Sequence, residues 1–281
     1  MTDPAFGRDS LDLLEVHYPS APVALPHRLA DHPLLGIEAL ASLAGRMDPD
    51  HMRSNLGDVP IEVDPEGVHR ATPDAADTIR AISGNGSWMV LRHIQSVPEY
   101  GALVDSIAAE LAPIVAPATG RMLNVDGLVF VASPGAVTPF HFDAEHNVLM
   151  QIRGSKTISI FPAFDESVAS EQCHESLHLN GHMNLPWREE MGAIGRDFRL
   201  SPGDSVSLPF KAPHWVKNGP EISISLSVTW QSEWSYSEAD ARMMNIALRR
   251  WGMKPRVLRP YPARNLAKSL AWRAIRRVRG G

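Results

Sequence analysis

The sequence predicts a mainly β fold with helical regions before and after it, and three observations carry that prediction. Alternating apolar runs recur at 122–133 (MLNVDGLVFVAS), 156–161 (KTISIF) and 222–230 (ISISLSVTW), the period of strands with one face in a core. Turn signals such as Gly135-Ala136 and Pro202-Gly203-Asp204 separate the runs. Helical periodicity is confined to the flanks, before 115 and after 232. A chain of 281 residues has room for one large domain with additions, and 44% apolar with 21% charged residues is the balance of a soluble globular protein.

Taken in order, residues 1–115 read as an N-terminal arm and helical region packed on a barrel. The first thirty are proline-rich and without a clear period, so an extended arm is expected. From Pro33, PLLGIEALASLAGRM places Leu34, Ile37, Leu40, Ala41 and Ala44 on one helical face, and the residue before Pro49 ends it. HMRSNLGDVPIEV reads as strand or connection. Thr72-Pro73-Asp74 caps a second helix that stops at Gly84-Asn85-Gly86. A short strand at 87–94 and a helix at 98–111 follow, with His93 read as structural. Residues 116–232 form the barrel, interrupted by a long polar insertion at 163–198 that is expected to face substrate. The insertion carries His174, His178 and His182, four apart, but Asn180-Gly181 argues for a turn and no carboxylate or cysteine pattern completes a zinc site. Residues 233–281 form a basic C-terminal helical region: Ser237 caps one helix, Gly252 and Pro255 break it, and another runs from about 262 to 277.

The chemistry concentrates in 138–162, TPFHFDAEHNVLMQIRGSKTISIFP. His141 and Asp143, two apart, share a strand face and can offer an imidazole and a carboxylate to one ion. Lys156 lies in the apolar register with Ile158 and Ile160, while Thr157 and Ser159 take the other face. A lysine so placed must snorkel to water or meet an anion. His146, five residues past His141, is read as a neighbour of the site and not a ligand.

This stretch resembles the JmjC/cupin-like (cupin_8) iron(II) and 2-oxoglutarate-dependent oxygenases, in the branch related to protein asparaginyl hydroxylases. Thr138, His141, Asp143, Asn147, Gln151, Gly154 and Lys156 fall on the family's pattern. The resemblance implies a double-stranded β-helix, a jelly roll of two antiparallel sheets. It implies iron on His141, Asp143 and a third histidine downstream, for which His214, in LSPGDSVSLPFKAPHWVKNG, has the family's usual setting. It also implies 2-oxoglutarate as cosubstrate, with Lys156 on its distal carboxylate and Thr138 and Asn147 assisting. Two histidines and a carboxylate leave three octahedral positions, which suits iron(II), a bidentate 2-oxo acid and dioxygen. The implied reaction hydroxylates a protein side chain with release of succinate and CO2. N-methyl demethylation by the same class and a non-catalytic metal- or metabolite-binding regulator are the rivals.

Partners and setting follow from charge and cysteine usage. The net charge of −5 divides unevenly, because residues 241–281 hold twelve Lys or Arg and no Asp or Glu. Neutralisation by the protein's own acidic body or a second subunit is expected; basic residues without a helix-turn-helix or zinc-finger pattern give only non-specific affinity, so nucleic acid is not. The resemblance further implies a homodimer through the C-terminal helices. The lone Cys173 rules out an intramolecular disulfide. The acidic N-terminal stretch does not read as a secretory signal, and no run of 18 apolar residues suggests a membrane span, so a cytoplasmic protein is expected.

Overall fold

The computed structural model describes residues 3–56, 75–84, 86–179 and 184–279. The expected Thr72-Pro73-Asp74 cap, the later part of HMRSNLGDVPIEV, Asn85, Asn180-Gly181 and His182 lie outside them.

Among the described residues the strands form two antiparallel sheets, the jelly roll that was expected. The larger contains β1 (Val23–Pro26), β2 (Met52–Leu56), β3 (Ser87–Leu91), β4 (Met122–Ala132), β6 (His146–Arg153), β9 (Asp204–Leu208) and β11 (Ser223–Ser232), in the order β1-β9-β6-β11-β4-β3-β2. The smaller contains β5 (Val137–His141), β7 (Lys156–Ile160), β8 (Arg196–Leu200) and β10 (His214–Asn218), in the order β5-β10-β7-β8. Strand alternation divides the large sheet's side chains between two cores. Val129, Val148, Leu226, Val228 and Trp230 face the helices, whereas Leu149, Val206 and Leu208 meet Ile158, Ile160 and Val216 between the sheets. The other face of β11 carries Ser225, Ser227 and Thr229, all buried, which makes the barrel interior unusually polar for a central strand. At the β6–β7 turn Gly154 has φ +65°, and a Cβ there would lie 2.3 Å from the Ile222 carbonyl, so only glycine fits.

The helical layer differs from expectation in four places. The N-terminal arm contains α1 (Arg8–His17), which buries Leu14 before the chain joins the sheet edge as β1. After α2 (Ile37–Ala44) and α3 (Ala75–Arg80), helix α4 (Pro98–Thr119) runs eight residues past the expected end and through Pro113 and Pro117. Each proline removes a helical hydrogen bond, but the buried stripe of Leu103, Ile107, Leu111, Val115 and Thr119 carries the helix through. By length and composition alone α4 is apolar enough to cross a bilayer, yet this stripe packs in the core beneath the large sheet. The insertion is not structureless: it contains α5 (Glu171–Leu177), capped by Ser170, and strand β8. Helix α6 (Glu233–Arg250) starts earlier than expected, because Ser232 and Ser235 form a capping box, while the Ser237 hydroxyl donates to Arg264 O.

The basic C-terminal region is neutralised in part by the protein itself. Arg242 pairs with Glu171 and Glu238, Arg249 with Glu175, and Arg273 of α7 (Leu266–Arg279) with Asp240.

Candidate active site

Three elements bring the proposed ligands together. His141 ends β5, His214 begins β10, and the two are register partners in the small sheet. Asp143 stands not on a strand but in the connection between β5 and β6, so it does not share a strand face with His141 as expected, although its carboxylate arrives at the same place. Asp143 Oδ2 lies 3.6 Å from His141 Nε2 and 3.9 Å from His214 Nε2, and one ligand atom from each residue lies within 4.8 Å of the others. Both rings are oriented from behind: His141 Nδ1 donates to Pro139 O at 2.7 Å and His214 Nδ1 to Ala212 O at 2.9 Å. Protonation at Nδ1 leaves the Nε2 lone pair of each ring facing the carboxylate. Burial, then the neighbouring His141, lowers His214 to about 4, which keeps its ring neutral at physiological pH. Two imidazoles and a carboxylate at these separations fit a divalent transition metal such as iron(II).

The same cavity contains Lys156, the first residue of β7, 7% exposed. Burial brings its ammonium down to about 7, and among the described residues no acceptor or anion meets its Nζ. Other lining groups are also unsatisfied. Trp88 Nε1, Ser227 Oγ and the amide oxygens of Asn147 and Asn218 are buried without partners, and Thr138 lines the same wall. Buried polar groups are normally paired, so a cluster of orphans that includes a lysine and two further donors has the character of an anion's binding site. Leu149, Ile158, Leu208 and Val216 supply the apolar remainder.

Sequence reasoning named Lys156, Thr138 and Asn147 but missed Trp88, Ser227 and Asn218. The serine and asparagine sit at polar positions of alternating strands and carried no signal beyond that. Gln151 has a structural role instead: its amide donates to Arg153 O, Gly154 O and Ser223 Oγ, and its carbonyl accepts from Ser225. His146 points away from the cavity, bonded to Tyr18 and Ser232 and stacked on Trp230, as a neighbour and not a ligand. His93 pairs with Asp126 at 2.9 Å. His174 is buried against Phe142 and Phe164, His178 accepts from Lys211, and neither belongs to a metal-ligand cluster among the described residues. A larger groove of about 570 Å³, between Phe164, Phe210, Trp234 and Tyr261, contains none of the triad.

No family model matches the chain. A stretch of 105 residues is 31% identical to the lysine-specific demethylase JMJ30 of Arabidopsis thaliana, covering 35% of this chain and 24% of that protein. Among solved structures the chain is similar to YcfD, a ribosomal oxygenase from Escherichia coli, in complex with cobalt and 2-oxoglutarate. That likeness has 16% identity and a TM-score of 0.54, and covers 96% of this chain and 67% of YcfD. A second YcfD structure, with cobalt and succinic acid, gives 16% identity and a TM-score of 0.52 over the same shares. At such identity the likeness establishes the fold alone: the chain has a two-sheet jelly roll like that of YcfD, with helical regions attached.

Proposed function

We propose that the chain is an iron(II) and 2-oxoglutarate-dependent dioxygenase that hydroxylates a carbon of a protein side chain, releasing succinate and CO2. The observation that carries this reading is the unpartnered Lys156 ammonium in the cavity that also holds the His141, Asp143 and His214 triad. A metal alone gives no reason for an inward-facing lysine; a metal together with a dicarboxylate does.

His141 and His214 would hold the metal through Nε2 and Asp143 through its carboxylate. Bound iron(II) supplies the oxidising chemistry that no side chain of the site can perform. The chain's own contribution is positional and electrostatic. Pro139 O and Ala212 O fix the two ring orientations. Lys156 neutralises the distal carboxylate of 2-oxoglutarate, with Thr138, Asn147, Trp88 and Ser227 around it. The apolar wall excludes water and strengthens that ion pair. YcfD's cobalt complexes with 2-oxoglutarate and with succinic acid support the cosubstrate assignment.

A second reading, removal of an N-methyl group as formaldehyde after hydroxylation of the methyl carbon, is favoured by the match to a lysine-specific demethylase. Mass spectrometry of the product separates the two, since one gains an oxygen atom and the other loses a methyl group. The test of the class is anaerobic reconstitution with iron(II) and 2-oxoglutarate. The expected results are a weak visible charge-transfer band and formation of succinate when air is admitted, and the absence of both overturns the assignment.

The partner reading is a homodimer through the C-terminal helices. Helix α7 turns Arg273 inward to Asp240 and leaves Leu266, Leu270 and Val278 more than half exposed, an apolar face that a second copy would cover. Equilibrium sedimentation showing a monomer at micromolar concentration removes it. The setting is read as a reducing, cytoplasmic one, with α4 as a core helix and not a membrane span.

A further inference from the structure

Lys211 is a second buried lysine that the proposed chemistry does not use. It lies three residues before His214, in the turn between β9 and β10, with φ +59°, a left-handed conformation that a side chain disfavours. It is fully buried, and its Nζ donates to Glu238 Oε2 at 2.8 Å, Glu238 Oε1 at 3.1 Å and His178 Nε2 at 2.8 Å. Burial lowers His178, so its neutral ring can accept the ammonium's hydrogen.

From Glu238 the contacts continue along α6 and across to α5. Arg242 Nε donates to Glu238 Oε1 and Arg242 Nη1 to Glu171 Oε1, each at 2.6 Å. Burial alone would raise Glu238, but Lys211 and Arg242 hold it well below the usual carboxylate range. The result is a charge chain of alternating sign, Lys211, Glu238, Arg242, Glu171, that links the turn before β10 to two helices far away in sequence. Stability alone does not call for ions here, because apolar side chains of similar volume serve it equally well. Directed bonds to a fixed carboxylate add a defined position.

What they position is the backbone behind the third ligand. Ala212 N donates to Pro209 O at 3.0 Å, Phe161 N donates to Pro213 O at 2.8 Å, and Ala212 O accepts from His214 Nδ1. The carbonyl that orients His214 thus belongs to the residue next to Lys211. The geometry points to Lys211 and Glu238 as a positioning pair for His214, through which helix α6 sets the orientation of that ring toward a metal. The inference rests on the metal reading of the triad.

Cobalt(II) chloride, titrated into the full chain under argon, serves as the probe, followed by calorimetry and by visible d–d absorption. Wild type is expected to bind one ion, and Lys211→Met and Glu238→Gln to bind it about 10- to 100-fold more weakly with an altered d–d band. Glu238→Gln keeps the side chain's size, so it decides the matter should Lys211→Met fail to fold. Arg249→Met, which breaks the Arg249–Glu175 contact between the same two helices, is the control and is expected to bind as wild type. Wild-type affinity and spectrum in Glu238→Gln, or equal weakening in Arg249→Met, overturns the positioning role and leaves the pair a matter of stability. Failure of wild type to bind cobalt, or undiminished binding by His214→Ala, overturns the metal reading instead.

Discussion

Lys156 opens β7 four rungs away from His214, Lys211 sits in the turn three residues before that ligand, and both are removed from water, yet their surroundings could hardly differ more. Lys211 has three acceptor atoms within 3.1 Å, two of them the oxygens of a carboxylate shared with an arginine. Lys156 has none among the described residues, and its neighbours Trp88, Ser227 and Asn147 are unsatisfied as well. A sealed ammonium that is fully bonded belongs to the architecture, whereas one that is not bonded describes a molecule that comes and goes. Orphan atoms alone do not make that distinction, since His174 and Asn245 also have them. His174 sits near the balanced charges of Lys211, Arg242 and Glu238, while among the described residues no anion contacts the Lys156 ammonium.

The comparison is broken most directly by stability measurements on the ligand-free chain. Lys211→Met should destabilise folding by about 3–5 kcal/mol, because Glu238 loses a buried partner. Lys156→Met should do the opposite and stabilise by about 2–4 kcal/mol at pH 6, because it removes an uncompensated ammonium. Chemical denaturation that moved both midpoints in one direction would show the two lysines to be equivalent. Next in size, Lys156→Ala should weaken 2-oxoglutarate by about 2–4 kcal/mol while cobalt(II) affinity changes little. Equal loss of both counts against the clamp. The contrast also has a pH signature. Lys156 in the free cavity titrates at about 7, and a bound dicarboxylate raises that value, so affinity should be constant below pH 7 and fall by up to about tenfold per unit above it. Calorimetry from pH 6 to 9 reads this slope, which Lys156→Ala should abolish. The smallest effect concerns the surrounding donors: Ser227→Ala should cost about 0.5–1.5 kcal/mol of 2-oxoglutarate affinity, seen in the same titration.

Much of this site was legible before any coordinates, for identifiable reasons. A histidine and an aspartate two apart, followed by a lysine in an apolar register, violate strand patterning, and such violations mark function. The strands themselves were legible because alternation is a local property. The helical layer was less so. The prolines around α1 masked its apolar stripe, and α4 continues past the expected end at 111 because burial of Val115 and Thr119 outweighs the bonds lost at Pro113 and Pro117. Ser237 looked like a cap because the true capping box, Ser232 with Ser235, lies inside a strand-like run. The Lys211 network was invisible because its members are brought together only by tertiary packing, with Glu171 and Arg242 separated by 71 positions. Trp88 and Ser227 became notable only once their lack of partners could be seen.

One detail of strand pairing reaches further than its size suggests. β10 lies antiparallel to β7 with Asn218 opposite Lys156 and His214 opposite Ile160. Four steps of extended backbone, about 13 Å, therefore separate the rung bearing a metal ligand from the rung bearing the ammonium. On the proposed reading the ladder acts as a ruler for the length of the acid it accepts. Slipping it by a single residue would present Thr157 to the cavity and point Lys156 away. Selectivity between a five-carbon and a four-carbon acid would then be graduated in main-chain hydrogen bonds, beneath the level at which pocket side chains are exchanged.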